Sequence, residues 1–312
     1  MLSIVIPSYN EKDNILVAAK RIGSLMREND IEYELLFVND GSKDSTWEKI
    51  REAAEIDPNV VGINFSRNFG KESAIFAGLK HATGDACVLI DCDMQHPPET
   101  IIDMYKLWKN GDVDVVEGRK SSRGKESLLY KAFCKVFYSS LNKSSGIDMR
   151  NASDFKLLDR KVVDALNDMP ERLTFFRAMS GWVGFRTENV YFDVAERNSG
   201  ESKWSVKSLI KYAINSITSF TSAPLHAVTV CGLVMLLVSL VLAVNTLYNK
   251  LSGNSLEGFT TVILLQLFTS SIVMISLGVI GYYISKIYEE IKARPRYIVS
   301  EVLNKKEQKS EE

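Results

Sequence analysis

The residues best suited to chemistry are Asp91 and Asp93, one residue apart just after the apolar run Ala86–Ile90. Carboxylates at i and i+2 past a strand end can converge on one hard cation. Mg²⁺ or Mn²⁺ held by oxygen ligands in this way keeps positions open for phosphate oxygens, and such a metal stabilises a departing diphosphate. Gln95 and His96 follow, then Pro97-Pro98, which fix an extended segment. The plain reading of His96 is a surface or hydrogen-bonded side chain rather than a ligand. Alone, D-x-D is a common solvated turn, but two further polar clusters occupy equivalent places. Asn39-Asp40-Gly41-Ser42 follows the run Tyr33–Val38, and Glu11 follows Pro7-Ser8-Tyr9-Asn10 at the end of the first run. Each has the composition of a turn or helix cap. Three at three strand ends mark a site. Phe69-Gly70-Lys71-Glu72-Ser73 contains Gly-Lys but is not a Walker-type phosphate loop, because Phe65 stands where that pattern needs glycine. No G-x-G-x-x-G follows the first strand, which argues against a nicotinamide dehydrogenase.

The elements that must position these residues alternate. Strands are expected at Leu2–Pro7, Tyr33–Val38, Val60–Phe65, Ala86–Ile90 and Val113–Gly118, with helices at Asn14–Arg27, from about Ser45, and at Lys71–Ala82. Asp44 or Ser45 would cap the second helix. This alternation implies right-handed crossovers and a mainly parallel sheet, in which ligands bind beyond the carboxyl ends of the strands.

The 38 basic and 39 acidic residues leave a net charge of -1, so nucleic acid is not expected as a partner. Cys87, Cys92, Cys134 and Cys231 form no C-x-x-C pair and read as reduced thiols. MLSIVIPSYN has no basic leader and reads as a strand, not a signal peptide. The charge balance hides a partition: no Asp, Glu, Lys or Arg occurs in 212–249 or in 258–285. Ala227–Leu247 and Phe259–Ile284 each exceed the roughly 20 apolar residues that a bilayer crossing needs. Lys203, Lys207 and Lys211 precede them; Lys286, Lys292, Arg294 and Arg296 follow. The positive-inside rule then makes a hairpin with both ends, and the large domain, cytoplasmic. Apolar faces at 128–141 and 206–217 read as surface helices, the second as one lying in the membrane interface. The expected organisation is a catalytic domain at 1–200, a juxtamembrane amphipathic helix at 201–225, two transmembrane helices within 226–285, and a basic segment with a charged tail at 286–312.

Six motifs occur in order: Pro7-Ser8-Tyr9-Asn10-Glu11, Asn39-Asp40-Gly41-Ser42-Lys43-Asp44-Ser45-Thr46, Arg67-Asn68-Phe69-Gly70-Lys71-Glu72, Asp91-Cys92-Asp93-Met94-Gln95-His96-Pro97, Ser153-Asp154-Phe155 and Gly200-Glu201-Ser202-Lys203. As a set they resemble the polyprenyl-phosphate glycosyltransferases of glycosyltransferase family 2, which include bactoprenol glucosyltransferases and, more distantly, dolichyl-phosphate mannose synthases. The resemblance covers nearly the whole chain. It implies an α/β GT-A-like fold that binds a nucleotide-diphosphate sugar, with helices on both faces of the sheet and a membrane hairpin behind it. It implies that Pro7, Tyr9, Glu11, Asn39 and Asp40 hold base and ribose. Lys71, Asp91 and Gln95 would complete the donor site, with Asp91 and Asp93 on Mg²⁺ or Mn²⁺. Arg119, Arg197, Ser202 and Lys203 would meet phosphates, the last three that of the lipid. Asp154 falls at the reacting centre, as base or as orienting group.

Many relatives carry two aspartates before Gly-Ser, whereas here the first is Asn39. An amide accepts one hydrogen bond from a uracil nitrogen but suits the paired donors of guanine less well than a carboxylate, which favours a uridine donor. Q-x-x-R-W, carried by processive polysaccharide synthases of the family, is absent, which favours single transfer. The expected reaction is one inverting displacement that moves a sugar, glucose before N-acetylglucosamine or mannose, from a UDP-sugar to undecaprenyl or another polyprenyl phosphate at the bacterial cell membrane. The alternatives are another lipid acceptor and a non-catalytic membrane scaffold. Small residues along the second span (Ser270, Ser271, Ser276, Gly278, Gly281) permit close helix packing and hence a homo-oligomer.

Overall fold

A computed structural model describes residues 1–120, 153–171, 175–193, 223–252 and 258–304. They fall into two compact units: 1–205 with 295–312, and 206–294.

The first unit is an eight-stranded sheet in the order β7-β5-β6-β4-β1-β2-β3-β8. Its central strand β1 (Leu2–Ser8) pairs in parallel with β2 (Tyr33–Asn39) and β4 (Ala86–Leu89). Nearly every residue of β1 and β2 is buried, as expected of strands covered on both faces. β3 (Val60–Phe65) extends the parallel set beyond β2. Helices α1 (Ile15–Glu28), α2 (Thr46–Ile56), α3 (Lys71–His81) and α4 (Thr100–Lys109) fall between the strands. Asp44 caps α2, its Oδ1 accepting the Thr46 N–H at 3.1 Å. Gly78 lets α3 press on β1, because a Cβ there would lie 2.1 Å from Val5 Cγ1.

Three strands were not foreseen. β6 (Lys156–Asp159) lies antiparallel between β4 and β5 (Val115–Lys120), β7 (Thr187–Phe192) continues beyond β5, and β8 (Val299–Leu303) lies antiparallel on β3. β8 falls in the stretch read from the sequence as a basic segment and tail. Helices α5 (Arg160–Asn167) and α6 (Phe176–Trp182) follow β6. The strand expected at Val113–Gly118 runs two residues later. Both amphipathic stretches, at 128–141 and 206–217, lie outside the described residues.

The second unit contains α7 (Ala223–Leu251) and α8 (Phe259–Ile291). Each is long and apolar enough to cross a membrane, and leucines along α7 such as Leu233, Leu236 and Leu240 are exposed.

Candidate active site

Register brings the key carboxylates together. Leu89 of β4 pairs with Lys156 of β6. The strands are antiparallel, so Asp91, two residues beyond Leu89, and Asp154, two residues before Lys156, leave the same end of the sheet. Lys71 arrives there as the first residue of α3. Its Nζ lies 2.6 Å from Asp91 Oδ1 and 3.1 Å from Asp154 Oδ2. Arg177 of α6 closes the other side with a fork, Nε to Asp154 Oδ1 at 2.7 Å and Nη2 to Oδ2 at 3.0 Å. Two carboxylates and two cations thus alternate in a row. Pro7, Ile75, Leu89, Ile90, His96 and Phe155 line the same depression. His96 stacks on Phe155, ring centroids 4.9 Å apart, which makes it part of the wall.

The charges decide what this row can do. Burial works to raise Asp154, but Lys71 and Arg177 outweigh it and hold the carboxyl well below the usual carboxylate range. Burial likewise opposes the charge of Lys71, yet Asp91 and Asp154 keep the ammonium protonated and raise its pKa. Next to it, Glu72 behaves in the opposite way. Burial, then the nearby Asp154 charge, push its carboxyl up to about 7, against the Phe176 N–H, Arg177 and Lys71. Glu72 Oε2 accepts that Phe176 N–H at 2.7 Å, which ties the start of α3 to the start of α6.

The neighbouring loops are built to hold still. Asp40 is buried, and its carboxylate accepts the N–H groups of Phe69 at 2.6 Å and Gly70 at 2.9 Å and the Asn68 amide at 2.9 Å. Burial raises its pKa despite these bonds. Asn39 donates to Asn64 Oδ1 at 2.8 Å and accepts from Ser42 Oγ at 2.5 Å. Gly41 has φ +60°, and a Cβ there would lie 2.3 Å from the Arg67 carbonyl carbon, so this turn admits only glycine. The first loop zips onto the second: Asn10 N–H donates to Ser42 Oγ and Glu11 N–H to Thr46 Oγ1, both at 2.9 Å. Tyr9 is exposed beside them.

Of the residues expected from the sequence, Lys71, Asp91 and Asp154 meet directly, and Pro7 lines the same depression. Asp93 stands beyond Asp91, where its Oδ1 accepts the Gln95 N–H at 3.1 Å. Asn39 and Asp40 serve as loop struts in the bonds just described. Arg119 pairs with Glu117 at 3.1 Å, and the other Glu117 oxygen accepts the Ser153 N–H at 2.8 Å. Arg197, Ser202 and Lys203 lie outside the described residues. Arg177 and Glu72 carried no role in the sequence. Arg177 had one trace, as the only charged residue from Leu173 to Phe185. Cys87 and Cys92 are buried free thiols, burial pushing Cys87 up to about 12, which fits inert core positions.

Acidic groups beyond the carboxyl ends of a mixed, mostly parallel sheet, facing basic groups that can meet phosphates, suit a phosphate-bearing ligand. Residues 3–166 match the family described as glycosyl transferase family 2, and with that match the fold is GT-A-like. The chain belongs to that family and is a glycosyltransferase. It is 41% identical to the uncharacterized glycosyltransferase YkcC of Bacillus subtilis (strain 168), over 95% of this chain and 92% of that one. It is 38% identical to the prophage bactoprenol glucosyl transferase homolog of Escherichia coli (strain K12), over 96% and 99%. It is also 38% identical to the bactoprenol glucosyl transferase of Shigella phage SfII, over 96% and 97%. Among solved structures, glucosyl-3-phosphoglycerate synthase from Mycobacterium tuberculosis in complex with UDP is 17% identical with a TM-score of 0.49, covering 70% of this chain and 78% of that one.

Proposed function

We propose that the protein transfers a single glucose, with inversion, from UDP-glucose to a polyprenyl phosphate such as undecaprenyl phosphate. The near full-length relatives named bactoprenol glucosyl transferases support this donor and acceptor. The single observation that carries it in the site is the state of Asp154, forked by Arg177 and bonded to Lys71. A carboxylate with both oxygens already engaged by Arg177 and Lys71 is a poor proton acceptor. Transfer to a sugar or lipid hydroxyl needs proton removal, whereas a lipid phosphate is already anionic near neutral pH. The site therefore suits a phosphate acceptor, and Asp154 orients Lys71 and Arg177.

Asp91 and Asp93 would hold Mg²⁺ or Mn²⁺. Two carboxylates suit a hard cation, and Asp91 already faces a positive charge, the Lys71 ammonium, at 2.6 Å. Among the described residues no group of three or more His, Cys, Asp or Glu forms a metal cluster. Two carboxylates leave the rest of an oxygen shell to diphosphate and water. A bound metal would offset the charge on the leaving diphosphate. The remaining work belongs to the chain. Lys71 and Arg177 offset the repulsion between two polyanions, and Pro7, Ile75 and Phe155 wall the depression. Arg119 adds positive charge near residue 153, and Arg197, Ser202 and Lys203 would meet the lipid phosphate. Pro7, Tyr9, Glu11, Asn39, Asp40 and Gln95 shape the nucleotide side. Residues 1–200, with β8 from the C-terminal stretch completing the sheet, form the catalytic domain. Helices α7 and α8 keep the enzyme on the membrane that holds its acceptor, and the basic residues flanking the pair, Lys203, Lys207 and Lys211 before and Lys286, Lys292 and Arg294 after, support a hairpin with both termini in the cytoplasm.

The test is transfer of label from UDP-glucose, UDP-N-acetylglucosamine and GDP-mannose to undecaprenyl phosphate in detergent, with Mn²⁺ or Mg²⁺ and with chelator. Label from UDP-glucose that chelator abolishes is the expected result. Label from another donor alone would overturn the sugar, and none from any donor would overturn the reaction.

A further inference from the structure

Arg296 belongs to none of the motifs above, yet it touches α3, which carries Lys71, and the chain just ahead of α6, which carries Arg177. Its Nη2 donates to the Met169 carbonyl at 2.6 Å and also to the Glu171 carbonyl. These carbonyls lie between α5 and α6, the helix that carries Arg177. The guanidinium sits 4.7 Å from the ring centroid of Phe76 on α3. Its own carbonyl accepts from Ser73 Oγ at 3.2 Å, two residues past Lys71. The flanking chain is fixed as well. Tyr297 stacks on Phe65 at 5.0 Å, and the Ile298 carbonyl accepts the Ser66 N–H at 3.0 Å. One residue thus spans α3 and the approach to α6. A planar guanidinium suits this task, since it can fork onto two carbonyls while lying over an aromatic face.

We propose that Arg296 is a positioning residue of the active site, bracing α3 against residues 169–171 ahead of α6 so that Lys71 and Arg177 both reach Asp154. This rests on the reading of those three residues as the reacting centre. The Arg177 fork is sensitive to small shifts, because both of its bonds need the guanidinium in the carboxylate plane. A shift of about 1 Å in a positioned catalytic group costs on the order of 100-fold. As a brace acting through α3 and the approach to α6, Arg296 should on its loss lower kcat while leaving donor KM in place.

The experiment uses the full chain in detergent, with Arg296→Ala, Arg296→Lys and Glu301→Gln. Glu301 anchors β8 through Arg51 at 2.7 Å and Trp47 at 3.2 Å. The last variant therefore loosens β8, the strand that follows Arg296, without touching α3 or α6. Glucosyl transfer, its rescue by added guanidinium chloride, and amide hydrogen exchange are measured on each. Arg296→Ala should lower kcat about tenfold or more with donor KM within about twofold. Guanidinium should restore part of the loss, and amides of α6 should exchange faster while those of β1 and β2 do not change. Arg296→Lys, keeping charge without the fork, should fall between, and Glu301→Gln should keep wild-type kcat. Wild-type turnover and exchange in Arg296→Ala would overturn the proposal, as would a Glu301→Gln variant matching Arg296→Ala in both. Should the wild type transfer no sugar, the functional reading fails, and exchange in α6 alone still decides whether Arg296 holds the two elements.

Discussion

Replacing Glu72 with Gln should make the protein more stable at alkaline pH and flatten its stability between pH 5 and 8. Glu72 sits between Lys71 and the α6 N-terminus, with its Oε2 on the Phe176 N–H at 2.7 Å. The charged groups facing it are Asp154 and Arg177 from across the site and Lys71 from its own helix. Its carboxyl is raised from the ordinary 4.5 to about 7. A raised pKa means that the fold favours the protonated form. That contribution is complete below about pH 4.5 and is lost as pH rises through about 7. At roughly 1.4 kcal/mol per pH unit, this gap corresponds to about 3 kcal/mol, an upper bound because Glu72 is only partly buried. Glutamine keeps an acceptor for the Phe176 N–H and does not titrate. Thermal melts of the full chain in detergent should show Glu72→Gln and wild type within about a degree at about pH 4. At pH 8 they should differ by several degrees in favour of the variant. Parallel pH profiles would refute the reasoning, since they would mean that Glu72 ionises as freely in the fold as in the unfolded chain.

Asp93→Ala should abolish transfer and leave the melting temperature within a degree or two; retained turnover would show that Asp93 does not hold the metal. Lys71→Met removes the cation that competes for Asp91, so Mn²⁺ binding without donor, read by electron paramagnetic resonance, should tighten about tenfold, or ~1.4 kcal/mol. Unchanged or weaker binding would sink that competition. Arg177→Lys keeps the charge but loses the fork on Asp154, so kcat should drop by about 100-fold. An equal rate would show that a point charge suffices there.

The parallel half of the sheet was legible because its strands are short apolar runs followed by turn residues. β1, β2, β3 and β4 stand where those runs end, within a residue or two. Asp91 and Asp93 were legible for the same reason. What stayed hidden depends on reversal of the chain. Asp154 was legible through the family resemblance alone; it precedes an antiparallel strand, and only the pairing of Leu89 with Lys156 puts it beside Asp91. Four-residue β6 has no alternation long enough to read. Arg177 and Arg296 owe their roles to contacts across 23 and 127 positions of sequence, which no local pattern records. The roles of Asn39 and Asp40 were legible only as polar turn residues; that they bond inward to Asn64, Ser42 and the 68–70 loop follows from burial.

The strand β8 also sets an order of events during synthesis. It closes the open edge of β3, and the Ser300–Asn64 bond spans 236 positions. Between them the ribosome must make both long apolar helices. Until residue 303 has emerged, β3 offers an unpaired edge to any other extended chain. The catalytic sheet is therefore completed only after both helices have been made, and a chain arrested during their synthesis keeps a sticky, unfinished sheet.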